Sequence, residues 1–190
     1  MATLDASTWA ATASLYVAPG YCGADDTCSL WTLNCGPVVA SKYWPEEHWA
    51  KVVTAVRDVC PDHAILFSGT RAERRFNAAI IHRAGVADVH NVADDLSVRT
   101  LLALLQRAHS MISVDTGPAH AAAALGCPTV ALFGTASPDL YRPGGTTTPA
   151  AALIGMVEGR QSILGITPQT VIDSWLDLLN TAKIPLSDIS

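Results

Sequence analysis

The stretch from Met111 to Phe133 constrains this chain most. Met111 to Val114 is a short apolar run that ends at Asp115, and Thr116-Gly117 makes a turn. Pro118 then stands where proline is best tolerated, in the first turn of a helix. Gly126 and Pro128 close that helix, and Thr129 to Phe133 reads as the next buried strand. A helix that begins directly after a strand aims unpaired N–H groups and a positive dipole end at the strand's C-terminal edge. Open α/β sheets bind phosphates at that edge. The turn Asp115–Gly117 is therefore the first candidate site.

The rest of the chain repeats the alternation. Leu30 to Asn34 is the first plausible core strand, and Pro45 opens a helix with Glu46 and Glu47 in its first turn. Trp49, Val52, Val53 and Val56 form that helix's apolar stripe. Ala64 to Ser68 reads as a strand, Ala72 to Ala84 as a helix ended by Gly85, and Val86 to Val92 as holding a short strand. Ser97 caps a helix with Val98, Leu101, Leu102, Leu105 and Ala108 on one face. Ser137 to Pro149 is a loop, and Thr167-Pro168 starts a last helix carrying Val171, Ile172, Trp175, Leu176 and Leu179. Strands alternating with helices predict a parallel sheet covered on both faces, a Rossmann-like three-layer α/β domain. We assign that domain to residues 30–183, a linker or N-terminal arm with a short helix around Ser7 to Leu15 to residues 1–29, and a tail to residues 184–190.

Charged residues are only 15% of the chain against 49% hydrophobic, where ordinary domains carry roughly 25% charge. A doubly covered parallel sheet or an apolar partner face accounts for such a surplus. The net charge of −5, with scattered Lys and Arg, argues against nucleic acid. No apolar run reaches the length of a membrane span, and the N-terminus lacks the basic residues of a signal peptide. The five cysteines, Cys22, Cys28, Cys35, Cys60 and Cys127, read as reduced cytosolic thiols. Cys22, Cys28 and Cys35 as a metal site is the sharper alternative, which no C-x-x-C pair supports. The glycine-rich fingerprints of nicotinamide-cofactor and P-loop proteins, and the H-E-x-x-H of zincins, are absent from the sequence.

Four segments in order resemble one family: Lys42-Tyr-Trp-Pro-Glu-Glu-His-Trp49, Gly69-Thr-Arg-Ala-Glu73, Asp115-Thr-Gly-Pro-Ala-His120 and Phe133-Gly134. Together with Ile166-Thr-Pro-Gln-Thr-Val171, they are similar to the C-terminal, nucleotide-sugar-binding domain of the ADP-heptose:lipopolysaccharide heptosyltransferases, over about Leu30 to Leu179. The resemblance implies half of a GT-B fold and an inverting, metal-independent transferase with an ADP-sugar as donor substrate and no cofactor. It also implies a glycan or glycolipid acceptor of the lipopolysaccharide-core type. The expected location is the cytoplasm or the inner face of the bacterial inner membrane. Family members are roughly twice as long, and their N-terminal acceptor domain carries the catalytic aspartate base. The base is thus expected outside this chain, from a separate acceptor domain or subunit. The first loop also departs from the family, reading Asn34-Cys-Gly-Pro37 where relatives more often have Asn-Pro-Gly.

The resemblance gives each candidate residue a role beside a plainer one. Thr116 and Gly117 would bind the pyrophosphate, or simply form a strand-to-helix turn. Asp115 would cap that turn or accept from a sugar hydroxyl, and His120 would donate to phosphate or to Asp115. Lys42, with Ser41 beside it, would stabilise the leaving diphosphate as a fixed cation, or be a solvated surface lysine. Glu73 would accept from both ribose hydroxyls, or complement a helix N-terminus. Leu96 would lie against adenine, or be a core leucine. Trp44, Trp49 and Trp175 read as packing residues, and Asp94-Asp95 as a solvated loop. The functional expectation is the donor-binding half of a heptosyltransferase. The alternatives are a non-catalytic nucleotide-binding or docking module from that family and, more weakly, a nucleotide-sugar epimerase-like relative.

Overall fold

The structure, a computed structural model, describes residues 13–18, 42–144 and 149–182. Its centre is a six-stranded, all-parallel sheet in the order β3-β2-β1-β4-β5-β6. The strands are β1 (Ala13–Ala18), β2 (Ala64–Phe67), β3 (Val89–Asn91), β4 (Ser110–Val114), β5 (Thr129–Phe133) and β6 (Ala150–Ile154). The helices are α1 (Glu46–Val59), α2 (Arg74–Ala84), α3 (Val98–Arg107), α4 (Gly117–Ala124), the short α5 (Pro138–Tyr141) and α6 (Pro168–Thr181). The strand order reverses between β1 and β4, and ligands of open α/β sheets gather at such a point.

Period-two alternation in the strands sorts the core into two layers. Ile65 and Phe67, Ile112 and Val114, and Val130 and Leu132 pack with Trp49, Val52 and Val53 of α1, Phe76 and Ile80 of α2, and Val171 and Trp175 of α6. On the opposite face Leu66 and Met111 pack with Leu104 and Leu105 of α3 and Ala122 of α4. Trp44, Trp49 and Trp175 are fully or almost fully buried, as expected of packing residues. The Trp175 indole also donates to Ser110 Oγ at 2.9 Å, pinning α6 to the start of β4.

Local signals set the element ends. Gly85 ends α2 in the left-handed region with φ 64°. Ser97 and Thr167 cap α3 and α6 by accepting from the backbone three residues on. A hairpin, β7 (Met156–Val157) and β8 (Arg160–Gln161), follows β6. It meets the 3₁₀ turn Ile163–Gly165 at two glycines, where an added Cβ on Gly155 or on Gly165 would lie 2.4 Å from opposing backbone. Gln161 Nε2 then donates to the carbonyls of Gly134 and Ala136, tying this corner to the loop that leaves β5.

Three expectations are corrected. Ala13–Ala18 is a strand between β2 and β4, so part of the expected arm, including the C-terminal part of its proposed helix, belongs to the sheet. Its central position supplies backbone partners on both sides, and this outweighs the weak helical pattern read there. The α3 stripe is rotated: Leu104 and Leu105 are buried, whereas Val98 is 73% exposed and Leu102 is exposed. Residues 137–149 also hold the short α5 rather than loop alone. The expected strand Leu30 to Asn34, Cys22, Cys28, Cys35, Ser41 and the 184–190 tail lie outside the described residues.

Candidate functional site

The C-terminal ends of β2, β3 and β4 converge on one pocket. It holds about 320 Å³ and is lined by Ser68, Gly69, Thr70, Glu73, Val92, Leu96, Leu101, Thr116 and Pro118. Three of the expected site residues, Glu73, Leu96 and Thr116, thus meet in one cavity. Leu96 is half-buried and also packs against the α3–α4 layer.

A charged cluster stands at the exit of β4. Asp115 is buried, and its carboxylate lies 3.3 Å from Lys42 Nζ and 3.2 Å from His120 Nε2. Lys42 also donates to the Asp115 carbonyl at 2.5 Å. His120 Nε2 is the ring nitrogen that faces this carboxylate. Lys42 reaches this point from a segment 73 residues away because Trp44 is anchored beneath it. The Trp44 ring is buried edge-on against Trp49 at 4.9 Å between centroids, and its Nε1 donates to the Ile166 carbonyl at 3.0 Å. Lys42 is accordingly partnered, not a freely solvated surface lysine. Asp115 does not cap the turn through its side chain; it holds two basic side chains.

Among the described residues, the N-cap Thr116 does not cap the first turn of α4 with its side chain. The Thr116 hydroxyl turns back to the Val114 carbonyl at 3.2 Å and lies 3.1 Å from Ser113 Oγ. Among the described residues, an added Cβ on Gly117 would meet nothing within 4 Å, and its backbone is outside the left-handed region. Nothing among the described residues therefore requires glycine there.

Glu73 has the plainer role too. Thr70 N and Thr70 Oγ1 donate to Glu73 Oε2 at 2.6 and 2.8 Å, a reciprocal capping box at the start of the turn that leads into α2. Gly69, with φ 152°, makes room for it: an added Cβ would lie 2.9 Å from that same oxygen. A carboxylate can accept about four hydrogen bonds, so capping does not exhaust it. The sequence reading did not include Ser68, Gly69, Thr70, Val92, Leu101 and Pro118 in the site. The T-x-x-E spacing of Thr70 and Glu73 is the signal that announces Thr70. Asp95 pairs with Arg74 at 2.9 Å, which accounts for one half of the Asp94-Asp95 pair.

Outside the pocket, burial holds the Cys127 thiol protonated, its pKa pushed up to about 12, and raises that of Cys60. At the opposite, N-terminal edge of the sheet, His63 and His109 stand just before β2 and β4 with ring centroids 5.7 Å apart. Burial lowers the pKa of both. Among the described residues, no three His, Cys, Asp or Glu converge on a point that could hold a metal ion. No helix among them is long and apolar enough to cross a membrane.

Comparison with known proteins decides the family: residues 32–161, more than half of the chain, match glycosyltransferase family 9 (heptosyltransferase). The chain belongs to that family. It is 27% identical over 154 residues to lipopolysaccharide heptosyltransferase 2 of Escherichia coli, covering 73% of this chain and 43% of that one. The solved structure of E. coli ADP-heptose lps heptosyltransferase II superposes with a TM-score of 0.69 at 21% identity, over 96% of this chain and 54% of that one. E. coli heptosyltransferase WaaC with ADP superposes at 0.65 and 19% identity, over 95% and 49%. The fold is thus the Rossmann-like α/β half of a GT-B glycosyltransferase, and the chain spans about half the length of the relatives it matches.

Proposed function

We propose that this chain is the donor-binding half of an inverting heptosyltransferase, taking ADP-heptose as donor and a lipopolysaccharide-core glycan as acceptor. One observation carries the reading: the cluster of Lys42, Asp115 and His120 stands at the first turn of α4, whose Thr116 and Pro118 line the pocket that also holds Glu73 and Leu96. That a solved relative is described as WaaC with ADP supports the nucleotide assignment.

The chemistry follows from these side chains. The first-turn N–H groups of α4 and the Gly117 backbone would take the diphosphate, with the open Cβ position of Gly117 leaving room for close approach. Glu73 would accept from the ribose, and Leu96 would cover the base. Displacement at the anomeric carbon builds negative charge on the departing ADP. Lys42, held beside Asp115, would face those oxygens, and the fixed cation would lower the barrier without metal. His120 would hold the Asp115 side chain in place from the other side. The base that deprotonates the acceptor would come from an acceptor domain or subunit outside this chain, acting on the cytoplasmic side of the membrane.

Calorimetric titration of ADP into the chain, with Lys42→Ala and Glu73→Ala beside it, tests the donor assignment. Binding weakened in both variants supports it, and binding indifferent to both, or to the exchange of ADP for UDP, overturns it. Addition of a separately expressed family acceptor domain tests the catalytic half. A transferase restored by mixing separates it from a non-catalytic module.

A further inference from the structure

Among the described polar side chains of the pocket, one has no hydrogen bond within the fold. Thr70 and Glu73 bond each other, and Thr116 donates to the Val114 carbonyl. Ser68 is 3% exposed and its Oγ has no hydrogen-bond partner. Leaving a buried hydroxyl unpaired is unfavourable, and a persistent case calls for a partner supplied from elsewhere.

Its direction follows from the strand that carries it. Ile65 and Phe67 of β2 pack into the α1–α2–α6 layer, and Leu66 packs into the α3–α4 layer. Ser68 is next in the alternation on Leu66's side. Val92, Leu96 and Leu101, the apolar wall of the pocket, belong to that same layer. The Ser68 backbone is held in place: the fully buried Asn77 donates Nδ2 to its carbonyl at 3.1 Å. A buried hydroxyl that can both donate and accept thus belongs to a residue that lines an apolar slot. That combination suits a flat group with hydrophobic faces and a polar edge, which describes a nucleobase. Phosphate and ribose oxygens need no apolar wall.

We infer that Ser68 is a specificity-determining residue whose hydroxyl hydrogen-bonds the edge of the donor's nucleobase, with Leu96 and Leu101 against the base's face. This rests on the nucleotide-sugar reading above and adds to it the residue that reads the base. The bond forms only in the complex, so the free protein carries an unpaired polar atom in exchange for recognition.

Ser68→Ala tests this with two readouts. In the free chain it removes an atom that has no partner, so the thermal midpoint stays or rises. ADP affinity, measured by calorimetry, falls about three- to tenfold, the range expected for one neutral hydrogen bond. Purine riboside 5′-diphosphate and the 1-, 3- and 7-deaza analogues of ADP each delete one polar atom of the base edge. In the wild type, the analogue lacking the contacted atom loses that same factor, and in Ser68→Ala it loses nothing further. A lowered midpoint with unchanged ADP affinity overturns the assignment, as does a variant penalty that is equal for ADP and all four analogues. Wild-type chain that binds no ADP removes the nucleotide reading and this assignment with it. ADP binding that Ser68→Ala leaves untouched removes this assignment alone.

Discussion

Replacing Lys42 with alanine should weaken ADP binding by more than the loss of one cation, because it also unmasks Asp115. The ammonium lies 3.3 Å from the Asp115 carboxylate, and only 12% of that side chain is exposed. A full cation about 4 Å from a phosphate oxygen contributes about 4 kcal/mol at the effective dielectric of a partly buried pair. Lys42 is about one-third exposed, so roughly half of that survives solvent screening, about 2 kcal/mol or about 30-fold in affinity. The unmasked carboxylate, one side chain farther from the phosphates, adds repulsion of about 1 kcal/mol. Lys42→Ala should therefore cost on the order of 100-fold. Asp115→Asn placed on top of it should recover about fivefold. The assay is calorimetry on the wild type, both single variants and the double variant, repeated at raised ionic strength, where the Lys42→Ala penalty should shrink. Additive behaviour, with Asp115→Asn failing to improve the Lys42→Ala protein, would refute the argument that the two side chains form one electrostatic unit.

Further outcomes follow from other parts of the structure. Gly117→Ala should leave the denaturation midpoint unchanged or slightly raised, since the Cβ position is open, while ADP affinity drops at least about tenfold because that methyl occupies the anion's approach. Equal binding by the alanine variant would move the phosphate away from this turn. Trp175→Phe should cost about 2–3 kcal/mol in urea unfolding, through the lost bond to Ser110 Oγ and the void left in a fully packed layer. Acid should destabilise the domain through His63 and His109. Burial holds both neutral in the folded state, so below the unfolded value of about 6.5 the unfolded chain binds protons that the folded chain refuses. The urea midpoint should then fall from about pH 7 to about pH 5, and less steeply in His109→Leu.

The elements read most securely from sequence are those whose ends carry their own chemistry. Pro45, Gly85, Ser97, Pro118 and Thr167 each mark a boundary through a local backbone or capping preference, and the structure places helix ends at or beside them. What escaped depends on contacts distant in sequence. Ala13–Ala18 mixes Ala, Ser and Leu with the strand-favouring Tyr16 and Val17, and pairing with β2 and β4 makes it a strand. Ala150–Ile154 was likewise passed over: an alanine-rich segment at the sheet's end, where its pairing with β5 defines it. The face of α3 was misjudged because Leu101, Leu102, Leu104 and Leu105 allow two apolar stripes, and the position of Met111 and Leu66 selects between them. At the site, the residue types were legible but their pairing was not. Nothing local to Lys42 says that it reaches Asp115, and nothing local to Ser68 says that its hydroxyl is left alone.

The crossing of Gly155 and Gly165 has a consequence for how this domain tolerates change. Two main chains touch there with no side chain between them, so neither position has a smaller residue to fall back on and neither accepts a larger one. Around them Ile154, Met156 and Leu164 are exposed, and their substitution disturbs no core. In an exhaustive substitution scan the corner would therefore show two intolerant columns set among permissive ones. Because Gln161 ties the same corner to Gly134 and Ala136, damage at either glycine would be transmitted as a displaced loop at the end of β5, on the rim that also carries the pocket.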